Sequence, residues 1–308
     1  MPSGTGKVAV DSCPMIDARD VALIIEGGGM RNSYTAPAIV RLIERVRFGW
    51  VGGVSAGAVH ALNYASADTY RARAVFTELA AHPHFGGVLK FAKGKGYFNS
   101  DFLYGQAEKL LPFDFATFAS SPTHVHVEAM RADTGATVSW GREDFLRDSS
   151  LVARAARASS TVPKVMPITM IEGAPFVDGA LGSSGGLLYD AARQAGYQRF
   201  VLLSTRPRDY WKKPLVRPSA VRGMFRRYPE IGNALHLRAG RYNASKRAIL
   251  REEAAGNAVT FFPDNMQAES IERRPSKLQR NYSAGQAQFE REWEVWTEFL
   301  AAPAASRR

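Results

Sequence analysis

The sequence predicts an α/β fold in which a mostly parallel central sheet is flanked by helices. Over residues 21–81, short apolar runs typical of buried strands alternate with longer segments of helical period. A helix that connects two such strands forms a crossover, and crossovers join parallel strands. The chain has 308 residues, of which 45% are hydrophobic, so it can bury a substantial core.

The elements of the N-terminal part follow from hydrophobic runs and their period. Val21–Glu26 is a nearly continuous apolar run, which favours a buried strand. Apolar residues at 39, 42, 43 and 46 share one helical face and predict a helix that ends near 46. Trp50–Val54 is a second short apolar run, and the alanine-rich segment Ala56–Ala67 predicts the next helix. Another helix is expected near 69–81.

The remaining elements are read in the same way. Residues 85–118 are rich in glycine and aromatic side chains and are expected to form a lid or a cleft wall. Thr123–Met130 alternates like a strand, and the turn at Asp133-Thr-Gly135 predicts a hairpin with 136–140. Short apolar runs predict further strands at 175–178, 200–204 and 259–262, with a long helical region between the last two and a helix near 284–300.

These elements are expected to form one domain over residues 21–300, with flexible ends at 1–20 and 301–308. The conspicuous motifs lie within about 21–185, and a basic extension covers about 204–300. Cys13 is the single cysteine, so no intramolecular disulfide can form. The sequence has no apolar stretch of membrane-spanning length and no signal-peptide core at its start. We therefore expect a cytoplasmic location, with peripheral contact at the inner face of the membrane.

The turn Gly53-Val54-Ser55-Ala56-Gly57 is a candidate nucleophile site. It lies between a predicted strand and a predicted helix, where Ser55 would occupy the bend. Glycines at 53 and 57 remove side chains that would collide in a sharp turn, and the helix N-terminus adds positive potential near the serine. The alternative is a glycine-rich turn whose serine only caps the helix.

The turn Gly27-Gly28-Gly29-Met30-Arg31 ends the preceding predicted strand. Its free N–H groups around Gly28 to Met30 could stabilise an oxyanion, and Arg31 adds positive charge at the rim. A dinucleotide-binding turn is the rival interpretation. It is disfavoured because Asn32 stands where the G-x-G-x-x-G pattern has its last glycine, and because the acidic residue expected about twenty positions later is missing.

A serine nucleophile needs a base, and the histidines do not supply one convincingly. The chain has six, at positions 60, 82, 84, 124, 126 and 236. In a Ser-Asp-His order His236 is the one that follows the acidic candidate, but it lies in a predicted mid-helix setting. His60 follows Ser55 on the same helix, and His124 and His126 share a strand face, so each set suggests a role as base or metal ligand. Neither set has the third partner that such a role requires. Structural roles are favoured for all six.

Asp178 is the favoured base. The segment Pro175-Phe-Val-Asp178-Gly179-Ala180 reads as a strand that ends in a carboxylate and a tight turn, and strand ends are where open α/β sheets hold their sites. A partly desolvated carboxylate beside Ser55 could accept the hydroxyl proton directly. An ordinary Asp-Gly turn is the alternative.

Together these residues resemble the patatin-like phospholipases, whose pattern is a glycine-rich loop with a basic residue, a G-x-S-x-G turn and a downstream D-G-G or D-G-A. The segment Ala155–Pro167 resembles the family's approach to the catalytic aspartate, and its loop would line the substrate cleft. A bacterial branch of the family is also matched by Thr205–Pro214 and Arg241-Tyr-Asn243, so the resemblance covers about Val21 to Gln288.

The resemblance implies a three-layer α/β fold of the patatin type and a set of site residues. Ser55 would be the nucleophile, Asp178 the base, and the backbone amides of Gly28, Gly29 and Met30 the oxyanion donors. The supporting motif residues would be Gly27, Arg31, Gly53, Gly57 and Gly179. Asn32 departs from the pattern, which usually has glycine there, so asparagine would have to accept a left-handed backbone.

The implied activity is hydrolysis of ester bonds in phospholipids or related lipids through an acyl-enzyme intermediate. This chemistry requires no metal and no organic cofactor. The alternative is a catalytically silent membrane-surface scaffold on the same fold. That alternative predicts lipid binding that Ser55→Ala leaves unchanged.

The positive charge is concentrated in residues 204–251. This segment has thirteen Lys and Arg against two acidic residues, an excess equal to the net charge of +11 of the whole chain. Because aromatic residues are interleaved, the segment is expected to contact an anionic membrane surface. A solvated helical face and binding of nucleic-acid phosphates remain as alternatives, although no nucleic-acid-binding module accompanies the charges.

Overall fold

The computed structural model describes residues 14–79, 82 and 107–302. The strands are Ile16–Ile25 (β1), Val46–Gly53 (β2), His124–Arg131 (β3), Thr137–Gly141 (β4), Thr169–Ile171 (β5), Ala174–Asp178 (β6), Arg199–Leu203 (β7) and Ala258–Phe261 (β8). The α-helices are Ala36–Arg45 (α1), Ala56–Ala65 (α2), Thr69–Thr77 (α3), Ala107–Leu110 (α4), Phe115–Ser120 (α5), Arg142–Arg147 (α6), Leu151–Ser159 (α7), Tyr189–Gln194 (α8), Pro218–Gly223 (α9), Pro229–Ala254 (α10) and Pro275–Ala301 (α11). Gly29–Ser33 and Gly179–Leu181 form short 3-10 helices.

The strands of the described residues form a single sheet in the order β5-β6-β3-β2-β1-β7-β8, and β4 pairs with β3. Parallel pairs join β3 to β2, β2 to β1, β1 to β7, and β7 to β8. The strands β4, β5 and β6 pair antiparallel. The prediction of a mostly parallel sheet is confirmed, and the hairpin of β3 and β4 is also as predicted.

Helices cover both faces of this sheet, as the alternation of side chains along β1 requires. Leu23 and Ile25 lie in a core cluster with residues of α1, α2, α7 and α11. Ala22 and Ile24 lie in a second cluster with residues of α8 and α10. Because successive strand residues point to opposite faces, β1 is buried on both sides. The three-layer α/β prediction is therefore confirmed.

The register of β3 brings two distant parts of the chain together. The parallel strand β2 pairs with β3 as far as Gly53 opposite Val127, and the antiparallel strand β6 begins its pairing with Asp178 opposite Ala129. Ala129 pairs with β4 on its other side. Strands β2 and β6 therefore share one edge of β3, end to end. Their carboxyl ends meet there, so the residues that follow Gly53 lie beside Asp178.

The first strand begins earlier than predicted. Ile16–Ala18 pair with the start of β2, beyond a register irregularity between Ala18 and Ala22, and Ala18 is fully buried. The predicted flexible segment 1–20 is therefore wrong for residues 16–20. Asp17, Arg19 and Asp20 interrupt the apolar run there, although Ile16 and Ala18 pack against the core and the backbone pairs with β2. The last helix also begins earlier than predicted, at Pro275.

Some predictions lie outside the described residues. They are the flexible segment at 1–13, Cys13, His84, most of the expected lid at 85–118, and the tail from 303 to 308. Within the described parts of the chain, no helix is both long and apolar enough to cross a bilayer.

Candidate active site

Ser55 lies on a sharp bend between β2 and α2. Its backbone has φ 55° and ψ −128°, a sparsely populated conformation for a residue with a side chain. The two flanking glycines are required by space: a Cβ on Gly53 would lie 2.2 Å from the Gly57 carbonyl oxygen, and one on Gly57 would lie 2.3 Å from that of Ile25. The bend is braced by a 2.8 Å hydrogen bond from the Ser55 N–H to Ser159 Oγ. The sequence therefore presents Ser55 at the N-terminus of α2, as predicted.

Asp178 lies at the end of β6 and is almost completely buried, with 7% of its surface exposed. Its Oδ1 accepts a 2.8 Å hydrogen bond from the Ala180 N–H, which fixes the carboxylate at the start of the turn. Burial raises the pKa of Asp178, while the charge of Arg238 and hydrogen bonds from Ala180 and the Ser55 side chain act in the opposite direction. The Ser55 side chain therefore lies near enough to the Asp178 carboxylate to lower its pKa.

The glycine-rich loop packs against this bend. A Cβ on Gly27 would lie 2.9 Å from Ser55 Cβ, so the loop can approach the serine only as glycine. Gly29 has φ 56° and starts the short 3-10 helix. Within the described part of the chain, no acceptor bonds the N–H groups of Gly28 and Gly29. Both amides are free to receive an oxyanion.

Met30 differs from these two glycines. Its N–H donates to the Ser270 carbonyl oxygen at 3.0 Å. That amide is already used, so the prediction of Met30 as an oxyanion donor does not fit the structure. The acceptor comes from a segment more than two hundred residues away, which the local motif could not indicate.

Asn32 does not adopt the left-handed backbone that was expected of it, since the residue with positive φ in this loop is Gly29. Asn32 is fully buried, and its side chain donates to the Gly29 carbonyl and accepts from Thr35 Oγ1. Its own carbonyl lies 3.3 Å from His60 Nε2. Asparagine therefore holds the loop through side-chain hydrogen bonds that glycine could not make.

The histidines take structural or surface positions where they are described. His60 is completely buried against Phe76, and burial lowers its pKa to about 3, so it stays neutral. His126 pairs with Glu128 at 2.9 Å, while His124 and His236 are exposed. No group of three or more His, Cys, Asp or Glu side chains in the described residues could hold a metal ion.

Ser55 and Asp178 line a cavity of about 390 Å³, which is within the range of small-molecule sites. Its apolar lining residues include Val59, Val75, Phe76, Val162 and Met166. Its lining also has four cationic residues, which we call the basic wall: Arg31, Arg206, Lys212 and Arg238. The cavity is thus amphipathic, because apolar and cationic side chains both line it together with Ser55.

Much of this site comes from the C-terminal part of the chain. Thr205 Oγ1 donates to the Gly27 carbonyl at 2.9 Å, and Ser270 binds Met30. The sequence analysis placed three residues of the basic wall, Arg206, Lys212 and Arg238, in a segment expected to contact a membrane. The sequence shows that they belong to a charge-rich run, but it does not show in which direction their side chains point. The likeness noted at 205–214 was the one signal that this loop belongs to the site.

Comparison with known proteins agrees with this geometry. The family model described as "Patatin-like phospholipase" matches residues 23–190, and one described as "Domain of unknown function (DUF6363)" matches residues 228–301. No curated protein matches the sequence. Among solved structures, VipD from Legionella pneumophila has a TM-score of 0.47 at 9% identity, covering 90% of this chain and 67% of VipD. Because the first match spans 168 of the 308 residues and contains the loop, the serine bend and Asp178, this protein belongs to the patatin-like phospholipase family of lipid acyl hydrolases.

Proposed function

We propose that this protein hydrolyses lipid esters with Ser55 as nucleophile and Asp178 as general base. The observation that carries the proposal is that a strained serine and a buried carboxylate of raised pKa line the same cavity, with the serine side chain near enough to affect that pKa. A carboxylate of raised pKa is a stronger base than an ordinary one, and it accepts a proton more readily near neutral pH. No histidine of the described residues lines this cavity.

The reaction divides into two acyl transfers. Asp178 takes the proton of the Ser55 hydroxyl as Oγ attacks the ester carbonyl carbon, and the carbonyl oxygen becomes an oxyanion. The free N–H groups of Gly28 and Gly29 would bind that oxyanion. When the tetrahedral intermediate collapses, the alcohol leaves with the proton from Asp178. Water then attacks the acyl-enzyme, and its proton passes through Asp178 back to Ser55.

The amphipathic cavity supports a lipid rather than a small polar ester. An acyl chain would lie along the apolar side formed by α2, α3 and the loop at 162–166. Burial of each methylene group contributes about 0.8 kcal/mol, so even a short chain gains appreciable binding energy there. Phospholipids or related esters are the proposed substrates.

We also propose that the cavity mouth contacts an anionic membrane. Val162 and Ile271 line the cavity and are exposed, and Met224 is exposed as well. Lys164 lies over the Phe225 ring at 5.3 Å, which places the loop at 162–166 beside the turn that follows α9. The pair Arg226 and Arg227 is exposed there. Each basic residue at such a surface contributes about 1 kcal/mol.

The catalytic proposal is tested with wild type, Ser55→Ala and Asp178→Asn, with folding checked by circular dichroism. We expect fluorophosphonate labelling and short-chain ester hydrolysis by wild type. Ser55→Ala should abolish both, and Asp178→Asn should lower kcat by about 100- to 10,000-fold, the usual contribution of a general base. Equal turnover by Asp178→Asn and wild type would refute the dyad. Absence of both labelling and hydrolysis in wild type, together with vesicle binding unchanged in Ser55→Ala, would instead support the silent-scaffold alternative.

The membrane proposal needs a separate test. Replacing Arg226 and Arg227 by serine should weaken binding to phosphatidylserine vesicles by about tenfold or more. The matched control replaces Arg193 and Arg280, two exposed arginines on other helices. Equal loss in both double variants would show that only net charge matters and would rule out a defined contact surface.

A further inference from the structure

No side chain of the basic wall forms an ion pair with a carboxylate of the described residues, although the structure has ion pairs elsewhere. Glu26 also lines the cavity. Its Oε2 accepts hydrogen bonds from Ser204 Oγ at 2.6 Å and from the Thr205 N–H at 2.8 Å. The four cations outnumber the two carboxylates that line the cavity, Glu26 and Asp178, so the wall carries excess positive charge.

This charge is held in a partly dehydrated place. The Nε groups of Arg31 and Arg238 are buried and have no hydrogen-bond partner among the described residues. Burial and, after it, the charges of Arg238, Arg206 and Arg31 lower the pKa of Lys212 to about 8, against the opposing charge of Glu26. Like charges that are gathered and desolvated cost free energy unless an anion joins them.

Hydrogen bonds from helix α10 hold the loop that carries part of the basic wall. Lys246 is fully buried, and its Nζ donates to the carbonyl oxygens of Pro207, Arg208 and Tyr210 at 3.3, 2.8 and 2.7 Å. Asn243 accepts from the Lys212 N–H at 2.9 Å and donates to its carbonyl at 3.0 Å. Helix α10 thereby clamps the loop that carries two of the cations.

Aromatic rings fix the side chains of that loop as well. Arg206 lies over the Tyr210 ring at 4.6 Å, and Lys212 Nζ lies 4.8 Å from the Tyr242 ring. Cations held in this way lose little conformational entropy when they bind an anion. The arrangement matches a phosphate, which accepts several charge-assisted hydrogen bonds at once.

We propose that the basic wall binds the phosphate of the ester substrate, so that the enzyme selects lipids whose head group carries net negative charge over neutral or zwitterionic ones. This inference rests on the proposed function of Ser55 and Asp178. A zwitterionic head group brings an ammonium that the four cations of the wall repel, and the carboxylates that line the described cavity are Glu26, which is hydrogen-bonded, and Asp178, which serves the proposed dyad. A terminal phosphate monoester fits best.

Matched soluble substrates test the selection. They are 1-hexanoylglycerol 3-phosphate, 1-hexanoylglycerol and 1-hexanoylglycerophosphocholine, used below their aggregation limit so that membrane binding plays no part. We expect wild type to prefer the phosphate monoester over the neutral ester by about tenfold or more in kcat/KM, since each lost charge-assisted hydrogen bond is worth about that factor. The phosphocholine ester should be hydrolysed less efficiently than the monoester.

Lys212→Met should reduce this preference by about tenfold, and Arg206→Met provides a second variant if the first fails to fold. The control is Lys213→Met, the adjacent exposed lysine, which should leave the preference unchanged. A wild-type enzyme without preference for the phosphate ester would overturn the proposal. An equal shift in Lys212→Met and Lys213→Met would do the same.

A binding measurement separates failure of this inference from failure of the catalytic proposal. If wild type hydrolyses no ester, calorimetric titration with glycerol 3-phosphate still tests the wall. Binding that weakens in Lys212→Met but not in Lys213→Met supports the anion site, and binding that is equal in all three proteins overturns it. The Ser55→Ala protein is also titrated with inorganic phosphate and with 1-hexanoylglycerol 3-phosphate. If inorganic phosphate binds as tightly as the phosphate ester, the ligand is free phosphate, and the assignment to a lipid head group is overturned.

Discussion

Replacing Gly29 by alanine should disable the proposed oxyanion site while leaving the protein folded. Gly29 has φ 56°, and an added Cβ would lie 2.3 Å from the Ser270 carbonyl oxygen. Ordinary contact begins at 3.4 Å, so the loop and Ser270 must separate by about 1 Å. That shift would move the free amides of Gly28 and Gly29 and strain the Met30–Ser270 hydrogen bond.

The expected loss can be estimated from two contributions. The left-handed backbone costs alanine about 1–2 kcal/mol of folding free energy. Each displaced oxyanion donor costs about 100- to 1,000-fold in kcat. We therefore expect kcat to fall by at least about 100-fold while KM stays nearly constant, because the donors act mainly on the transition state.

Gly173→Ala is the matched control, since Gly173 has φ 78° and open space where its Cβ would go. Both variants should lose unfolding free energy in urea through the left-handed backbone, Gly29→Ala more because of its clash with Ser270, and the control should keep its kcat. Ester hydrolysis under steady-state conditions gives kcat and KM for each protein. The reasoning is refuted if folded Gly29→Ala keeps kcat within a few-fold of wild type, or if Gly173→Ala loses as much activity.

Three further predictions follow from the same geometry. Burial raises the pKa of Asp178 above 3.8, and the charges of Arg238 and Lys212 oppose this shift. The acid limb of the kcat/KM profile for a neutral ester should therefore lie above pH 3.8. Arg238→Met should move that limb to higher pH, whereas the exposed Arg226→Met should not. Lys246→Met removes the hydrogen bonds that hold the loop at 207–210. It should lower kcat/KM for the phosphate ester by about tenfold and have a smaller effect on the neutral ester. Equal effects on both esters would contradict a role of Lys246 in positioning this loop. Trp296→Ala removes a fully buried ring of α11 that packs on the Phe289 ring at 4.8 Å. It should cost about 3–5 kcal/mol of unfolding free energy in a denaturant titration. A loss below about 1 kcal/mol would show that α11 is not part of the core.

The sequence by itself determined the local geometry of the site. Glycine at 53 is required by a contact within the bend and glycine at 57 by the Ile25 carbonyl of the neighbouring strand β1, and a five-residue pattern records both. The position of Asp178 at a strand end could be read in the same way. The alternation of apolar runs and helical segments also predicted a mostly parallel sheet flanked by helices, because the burial period is a local property of each element.

Other properties depended on pairings between distant segments. The register of β3 sets Asp178 beside the bend at Ser55, and no motif encodes that register. The occupied amide of Met30 depends on Ser270, and the start of β1 depends on backbone pairing with β2.

The direction of the positive charge was likewise decided by tertiary structure. In the sequence, residues 204–251 are one basic run that suits an outer surface. In the fold, Lys246 and Asn243 hold the loop so that Arg206 and Lys212 face the cavity, while Arg226 and Arg227 face outward. Composition fixes how much charge a segment carries, but buried hydrogen bonds from other elements decide which side of an irregular loop points inward.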